Sequence, residues 1–231
     1  MTNITRRLLG LALAGGLAAG LLMPGGQASA AAEDVNTHRA QVAGRIDERL
    51  ASLTGSTRIV AESEHLTRRH RAALTSIITR ERAGLTRLRA RVMAERTNRA
   101  LRVHATTLTN SQDAFGAIRD KVRTVISADT DAATIVSLGE VRHRFVGRVA
   151  AVAATGVDTR PAQASLATLR TSLAQAGRLL RGQADAAIAA RPAALARISR
   201  TVEAAHEQIR AALAASRAVR AFLAAHPPGT R

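Results

Sequence analysis

The sequence predicts an all-α protein: an elongated bundle of long amphipathic helices with a helical hairpin at its C-terminal end, preceded by a signal peptide. Three observations lead to this fold class. Alanine, leucine and arginine, which are strong helix formers, dominate the composition. Apolar residues recur at intervals of three and four along most of the chain. No segment alternates apolar and polar residues for long enough to indicate a β-strand.

The first 30 residues have the three parts of a secretory signal peptide. Arg6 and Arg7 precede an apolar segment over residues 8–22, and residues 28–30 (Ala-Ser-Ala) have the small-x-small pattern of a cleavage site. We expect the mature chain to begin at Ala31, with an uncleaved N-terminal anchor as the alternative. No later segment approaches the roughly 20 apolar residues of a membrane span. We therefore expect an exported protein, extracytoplasmic or secreted, that has no transmembrane span after cleavage.

Hydrophobic periodicity places four helices in the first half of the mature chain. The first is predicted over residues 34–53 and is closed by Thr-Gly-Ser at 54–56. A long second helix follows over 57–107. The polar residues at 109–111 offer caps for a third helix, and a break over 127–131 separates the third from the fourth.

A glycine-containing loop over residues 155–161 divides the mature chain into two parts. The first part, 31–155, is expected to form a helical bundle. The second part, 156–226, contains two helices separated at Arg191-Pro192 and is expected to form a helical hairpin that packs on the bundle. Residues 227–231 are expected to be a disordered tail. A single elongated bundle that includes both parts is the alternative.

The composition argues against most kinds of catalytic site and cofactor-binding site. The chain has no cysteine, tryptophan or tyrosine and three phenylalanines, whereas sites for sugars, haem, flavin or unstacked bases usually use aromatic surfaces. Neither a Gly-x-Ser-x-Gly nucleophile turn nor a glycine-rich phosphate loop occurs in the predicted mature chain. We expect no enzymatic activity, no catalytic residue and no cofactor.

Two polar residues of the predicted second helix lie in its apolar sector. On a helical wheel, Glu81 and His70 share the face of the large apolar residues, which end at Val92. The two are interpreted as a buried polar or register pair; proton handling or metal binding is the functional alternative. After Val92 the apolar stripe fails, because Arg96 and Arg99 take its next positions. This failure predicts a kink or an end of packing.

Two Glu-x-x-His units have a spacing that metal-binding helical bundles use. They are Glu62 with His65 and Glu203 with His206. Wheel positions place Glu62 and His65 opposite the apolar stripe, and they direct Glu203 away from the apolar face of its own helix, with His206 at the edge of that face. Because neither unit has an inward face, we predict no metal site.

The net charge of +17 comes from 34 basic and 17 acidic residues. Nucleic acid is a poor fit as a partner, because the chain carries an export signal, lacks aromatic residues and spreads arginine over every predicted helix. The expected partners are anionic polymers or lipid headgroups of the cell envelope, which a wide basic surface attracts. Another helical protein is a further expected partner.

Four segments of the chain carry a resemblance: RIDERLASLT at 45–54, LTSII at 74–78, ERAGLTRL at 81–88 and GVDT at 156–159. They resemble an uncharacterised family of exported, all-helical proteins of actinobacteria. The resemblance implies an exported helical protein of high-GC bacteria and transfers no activity or site residue.

Together these features predict a non-enzymatic structural or interaction module at the cell envelope, with a basic, arginine-rich surface. The alternative function is a helical-bundle binding protein for a soluble ligand or metal.

Overall fold

The computed structural model describes residues 26–227, with side chains described over 34–111 and 115–227. Within 26–227 it contains helices and no β-strand, which confirms the all-α fold class. Most of the predicted signal peptide and all but the first residue of the predicted tail lie outside the described residues. None of the helices described has the length and hydropathy that a membrane crossing requires.

Seven helices follow one another along the described chain. Their bounds are α1 Gly26–Glu62, α2 Arg68–Ala94, α3 Asn98–Asn110, α4 Gln112–Ala153, α5 Arg160–Leu180, α6 Gln183–Ala189 and α7 Pro192–Ala225.

The predicted stop of the first helix at residues 54–56 is wrong, because α1 continues to Glu62. The hydroxyl groups of Thr54, Ser56 and Thr57 each donate a hydrogen bond to the carbonyl four residues earlier in the same helix. These hydroxyl groups therefore find their hydrogen-bond acceptors inside the helix and do not act as caps that end it. The intrahelical bonds also allow Ser56 to be buried.

The predicted second helix over 57–107 is wrong in extent, because the chain leaves the helix after Glu62 and again after Ala94. Thr67 caps the N-terminus of α2, where its side chain accepts a hydrogen bond from the backbone N–H of His70. Thr97 caps α3 in the same way. The buried residues of α2 end at Val92, so the failure of the apolar stripe coincides with an end of packing, one of the two outcomes predicted for it. The helix itself ends two residues later, which was not predicted.

The predicted break over 127–131 is also wrong. Helix α4 is continuous over 42 residues, which makes it about 63 Å long. Two polar residues of that segment, Asp129 and Asp131, point into the protein and bond to other helices instead of capping a new one.

After residue 155, the observed helix boundaries lie closer to the predicted ones. The loop before α5 contains Gly156 with φ of 84°, and α7 begins at Pro192. The short helix α6 was not predicted. It follows a turn at Gly182, whose φ of 72° lies in the left-handed region that favours glycine.

Helix α4 is the central helix: its two ends pack against different groups of helices. The C-terminal part of α4 packs with α5 and α7, and α5 runs antiparallel to the other two. The N-terminal part of α4 packs with α1, α2 and α3 in a larger apolar cluster. That cluster also includes Leu180, Ala184, Leu195 and Val202, so the hairpin packs on the bundle and contributes to its core.

Candidate functional site: two aspartate–histidine pairs on α4

Two buried aspartates lie two residues apart near the middle of α4. The side chains of Asp129 and Asp131 are 7% and 6% exposed. Residues two apart on an α-helix point in directions about 200° apart, so the two carboxylates face different neighbours. Asp129 faces α2, and Asp131 faces α7. The centre of α4 therefore carries two separate polar contacts to two different helices.

Both carboxylate oxygens of Asp129 make contacts with the N-terminal end of α2. Its two carboxylate oxygens each lie 2.9 Å from Nδ1 of His70, and Oδ2 also accepts the backbone N–H of Thr67 at 2.8 Å. A carboxylate at this position satisfies an N-terminal N–H of α2 and interacts favourably with the positive end of its helix dipole. These three contacts offset the desolvation of a buried charge.

His70 lies between two carboxylates. Its Nδ1 faces Asp129, and its Nε2 lies 3.4 Å from Oδ1 of Asp185 on α6. The same oxygen of Asp185 lies 3.0 Å from the guanidinium of Arg69. One histidine thus joins α2, α4 and α6. Both of its ring nitrogens therefore face carboxylate oxygens.

Only one of the two carboxylate oxygens of Asp131 has a hydrogen-bond partner among the described residues. Its Oδ1 lies 3.0 Å from Nδ1 of His206 on α7, whose side chain is 49% exposed. Its Oδ2 is buried and has no hydrogen-bond partner among the described residues. Asp131 and His206 line a cleft of about 320 Å³ between α4 and α7.

The predicted pair of Glu81 and His70 does not come together in the structure. Eleven residues of helix separate them by about 16 Å. Both are half-buried, but His70 binds the aspartates described above, whereas Glu81 interacts electrostatically with Arg49 of α1. Burial lowers the pKa of Arg49, and the nearby Glu81 carboxylate opposes that effect.

Arg49 is held in place by further contacts. Its guanidinium donates to the Ser111 hydroxyl and the Leu108 carbonyl, and it lies 5.2 Å from the ring centre of Phe115. Glu81 and Arg49 therefore form part of the packing between α1, α2 and the junction of α3 with α4.

From the sequence, Asp129 and Asp131 were expected in a helix break, and His70 was paired with Glu81 instead of with an aspartate of another helix. A usable signal for the aspartates was nevertheless present. Apolar residues continue at helical spacing on both sides of the supposed break, from Val125 through Ala128 to Ile135 and Leu138. Two acidic residues inside such an uninterrupted pattern indicate buried polar contacts more than a helix end.

The Glu-x-x-His units do not assemble into metal sites in the part of the chain described. Glu62 lies 3.9 Å from Arg58 on the surface, and His65 is exposed. Glu203 and His206 line the same cleft as Asp131. Within the described residues, no group of three or more His, Asp or Glu side chains is arranged to hold a metal ion.

The exposed side of α2 is strongly basic. Arg80, Arg87 and Arg91, called here the α2 arginine face, lie on one side of the helix, over about 16 Å of its length. All three are exposed, and none has an ion pair or hydrogen bond among the described residues. The only acidic residue of α2 is Glu81, which lies on the other side and is half-buried.

These features define an all-α helical-bundle protein with a buried aspartate–histidine centre and a basic outer surface. Comparison with models of protein families, with curated proteins and with solved structures finds no match for the chain.

Proposed function

We propose that the protein is an exported, non-enzymatic helical module that binds anionic polymers or lipid headgroups of the cell envelope. The observation that carries the proposal is the α2 arginine face, whose three guanidinium groups are exposed and have no ion pair or hydrogen bond among the described residues. Guanidinium groups bind phosphate and carboxylate in a bidentate manner, and several in a row attract a polyanion without requiring a specific sequence.

The distribution of the acidic residues supports this function. Several exposed carboxylates already pair with one arginine each: Asp47 with Arg89, Asp120 with Arg123, Asp158 with Arg160 and Glu207 with Arg210. Because basic residues outnumber acidic residues by 34 to 17, these pairs leave a large excess of arginine available to a partner. The predicted signal peptide and the resemblance to exported helical proteins support the envelope as the place of binding.

Salt-dependent co-sedimentation tests the proposal. The chain without its predicted signal peptide is mixed with purified cell envelope from about 0.05 M to about 0.5 M NaCl, a range over which charge attraction is progressively screened. We expect most of the protein to sediment at low salt and to be released at high salt. Vesicles of anionic lipid, tested in parallel, distinguish headgroups from polymers. Absence of sedimentation at low salt contradicts the proposal.

A matched pair of variants tests the role of the α2 arginine face. R80Q/R87Q/R91Q removes that face, and R170Q/R217Q/R220Q removes the same charge from exposed positions of α5 and α7. We expect the first variant to lose several-fold more affinity than the second, because screened electrostatic attraction acts over short distances. Equal losses in both variants show that net charge alone drives adsorption, and they contradict the assignment to α2.

A further inference from the structure

We propose that the cleft between α1, α3 and α4 binds a small organic phosphate monoester, whose phosphate group is held by Arg45, Arg49 and Arg119. No residue of α2 lines this cleft, so the site is separate from the α2 arginine face. The inference therefore does not rest on the proposed envelope function. It rests on two exposed arginines and one fixed arginine that line the same open cleft.

The cleft has the size of a site for a small ligand and is open on one side. Its volume is about 420 Å³, in the lower part of the range for small-molecule sites. Gly116 lines it from α4, is exposed, and would place a Cβ in open space, with no atom within 4 Å. A solute can therefore approach the backbone of α4 at this point.

The two outer arginines of the cleft are accessible and unpaired. Arg45 of α1 and Arg119 of α4 are both exposed, and neither has an ion pair or hydrogen bond among the described residues. They belong to different helices but line the same cleft, so one anionic group that enters it can meet both. A guanidinium donates hydrogen bonds in a planar fork that matches two oxygens of a phosphate group.

Arg49 supplies a positive charge in a fixed position. Its guanidinium donates to the Ser111 hydroxyl at 2.9 Å and to the Leu108 carbonyl at 2.7 Å, and it lies 5.2 Å from the ring centre of Phe115. Both acceptors are uncharged, so these bonds orient the guanidinium without neutralising it. Burial lowers the pKa of Arg49, an effect that the nearby Glu81 carboxylate opposes. An anion in the cleft offsets the remaining cost of this half-buried charge.

The charge of the cleft favours a dianion. Three arginines line it, against one carboxylate, Glu48, which is exposed and has no ion pair in the part of the chain described. A phosphate monoester carries nearly two negative charges at neutral pH, because its second pKa is about 6. It also presents three oxygens that accept hydrogen bonds, whereas a carboxylate has one charge and two oxygens. The phosphate group therefore fits the three arginines better.

Phe115 indicates that the ligand has an organic body. It is one of three phenylalanines in the chain, is half-buried, and lines the cleft together with Leu108. These two side chains place apolar surface beside the arginines. An aryl or short alkyl group attached to the phosphate covers that surface and gains the free energy of apolar burial, which inorganic phosphate cannot gain.

NMR titration of the folded protein tests the ligand class. The probes are phenyl phosphate and benzoate, which share an aromatic ring and differ in the charge and oxygens of the anionic group. At constant ionic strength and about pH 7.5, where the phosphate is mostly dianionic, we expect phenyl phosphate to bind at least about tenfold more tightly. Amide resonances of residues 45–49, 108–109 and 115–119 should shift most. Equal affinity for the two probes, or shifts spread over the whole surface, overturns the proposal.

A matched pair of variants locates the binding. R45Q/R119Q removes the two exposed guanidinium groups of the cleft, so the affinity for phenyl phosphate should fall about tenfold or more. R170Q/R217Q removes the same charge from exposed positions of α5 and α7 and should change the affinity less than about twofold. All four positions are exposed, so both variants should fold, as far-UV circular dichroism can verify. Equal losses in the two variants overturn the assignment to this cleft.

Glu48→Gln tests the charge of the cleft in the opposite direction. It removes the carboxylate that lines the cleft, so the affinity for phenyl phosphate should rise several-fold. E140Q, at an exposed acidic residue of α4, changes the net charge equally and should leave the affinity unchanged. An E48Q variant that binds no more tightly than E140Q overturns the proposal.

Vesicles that contain phosphatidic acid, whose headgroup is a phosphate monoester, distinguish the two sources of such a ligand. If R45Q/R119Q binds these vesicles less than R170Q/R217Q does, the cleft holds a lipid headgroup. If the two variants bind vesicles equally and only phenyl phosphate binding is lost in R45Q/R119Q, the ligand is a soluble molecule. Loss in neither assay overturns the site. The α2 arginine face is intact in all these variants, so failure of this proposal is distinguishable from failure of the envelope function.

Discussion

The carboxylate of Asp129, in the middle of α4, accepts a hydrogen bond at 2.8 Å from the backbone N–H of Thr67, the residue before α2. The same carboxylate lies 2.9 Å from His70, one turn into that helix. One side chain thus caps the start of α2 from a neighbouring helix and binds a side chain of its first turn. This double contact fixes where α2 begins along α4, a position that apolar packing alone would set less sharply.

Asp129→Ala should therefore be strongly destabilising. It leaves the Thr67 N–H and the His70 imidazole without their acceptor, and breaking a buried polar pair costs about 3 kcal/mol. Urea unfolding followed by circular dichroism at 222 nm measures the loss. Asp120→Ala, nine residues earlier on the exposed side of α4, serves as the control and should cost less than about 0.5 kcal/mol. Similar losses in the two variants would contradict the structural role of Asp129.

The helices could be predicted from the sequence because their periodicity is local. Helix stops were harder to predict, since serine, threonine and aspartate serve equally well as caps and as residues inside a helix that have another partner. At residues 54–56 the partners are carbonyls one turn away. For Asp129 and Asp131 the partners are histidines 59 and 75 residues away in the chain.

The candidate site was less accessible to sequence reasoning for the same reason. The helical wheel placed His70 and Glu81 on the apolar side of α2, and both are half-buried. However, their partners come from three other helices: Asp129 from α4, Asp185 from α6 and Arg49 from α1. A wheel describes one helix, so it can indicate that a polar residue faces inward without indicating which residue it meets.

Gly84→Ala should stabilise the protein. Gly84 lies inside α2, and a Cβ at this position would meet no atom within 4 Å. Alanine is favoured over glycine in a helix by up to about 1 kcal/mol, because it loses less backbone entropy on folding. The midpoint of urea unfolding should rise accordingly.

Gly182→Ala is the matched control for this substitution. It also has open space around a Cβ, but its φ of 72° strains any L-residue, so the same change should destabilise by about 1 kcal/mol. A loss of stability in Gly84→Ala, or a gain in Gly182→Ala, would contradict the backbone conformations described.

Leucine-to-alanine substitutions in the two halves of the core should affect one unfolding transition. Leu74 belongs to the large cluster around α1, α2 and α4, and Leu169 belongs to the cluster formed by α4, α5 and α7. Each substitution should cost about 2–5 kcal/mol. Because α4 and α7 contribute to both clusters, the thermal transition measured by circular dichroism should shift as a whole.

The same experiment tests the predicted division of the chain into residues 31–155 and 156–226. If the two segments are independent units, Leu169→Ala should split the transition and leave the part that reports on the first segment unchanged. Hydrogen exchange of α2 amides in the Leu169→Ala variant gives a second readout. Faster exchange in α2 indicates a shared core, and unchanged exchange indicates separate units.

The ion pair between Asp47 and Arg89 should be visible as a shifted titration. A hydrogen bond from Arg89 at 2.7 Å, aided by its positive charge, lowers the pKa of Asp47 below its ordinary value. A carboxylate with a lowered pKa in the folded state adds stability above its unfolded value of about 3.9, and that contribution is lost as the pH falls through the folded value. Carbon-detected NMR titration of the Asp47 carboxyl should therefore show a midpoint below the ordinary value for an aspartate.

Arg89→Gln should return the Asp47 midpoint toward its ordinary value, because the variant removes both the charge and the bidentate hydrogen bond. Asp158 provides an internal control in the same spectra. Its pKa is lowered by a side-chain hydrogen bond from Arg160, in a different part of the protein, so its midpoint should not move in the variant. Because Asp47 and Arg89 are both partly exposed, the shift should shrink in high salt, where water and ions screen the pair. A midpoint for Asp47 that is the same with and without Arg89 would show that the pair does not persist in solution.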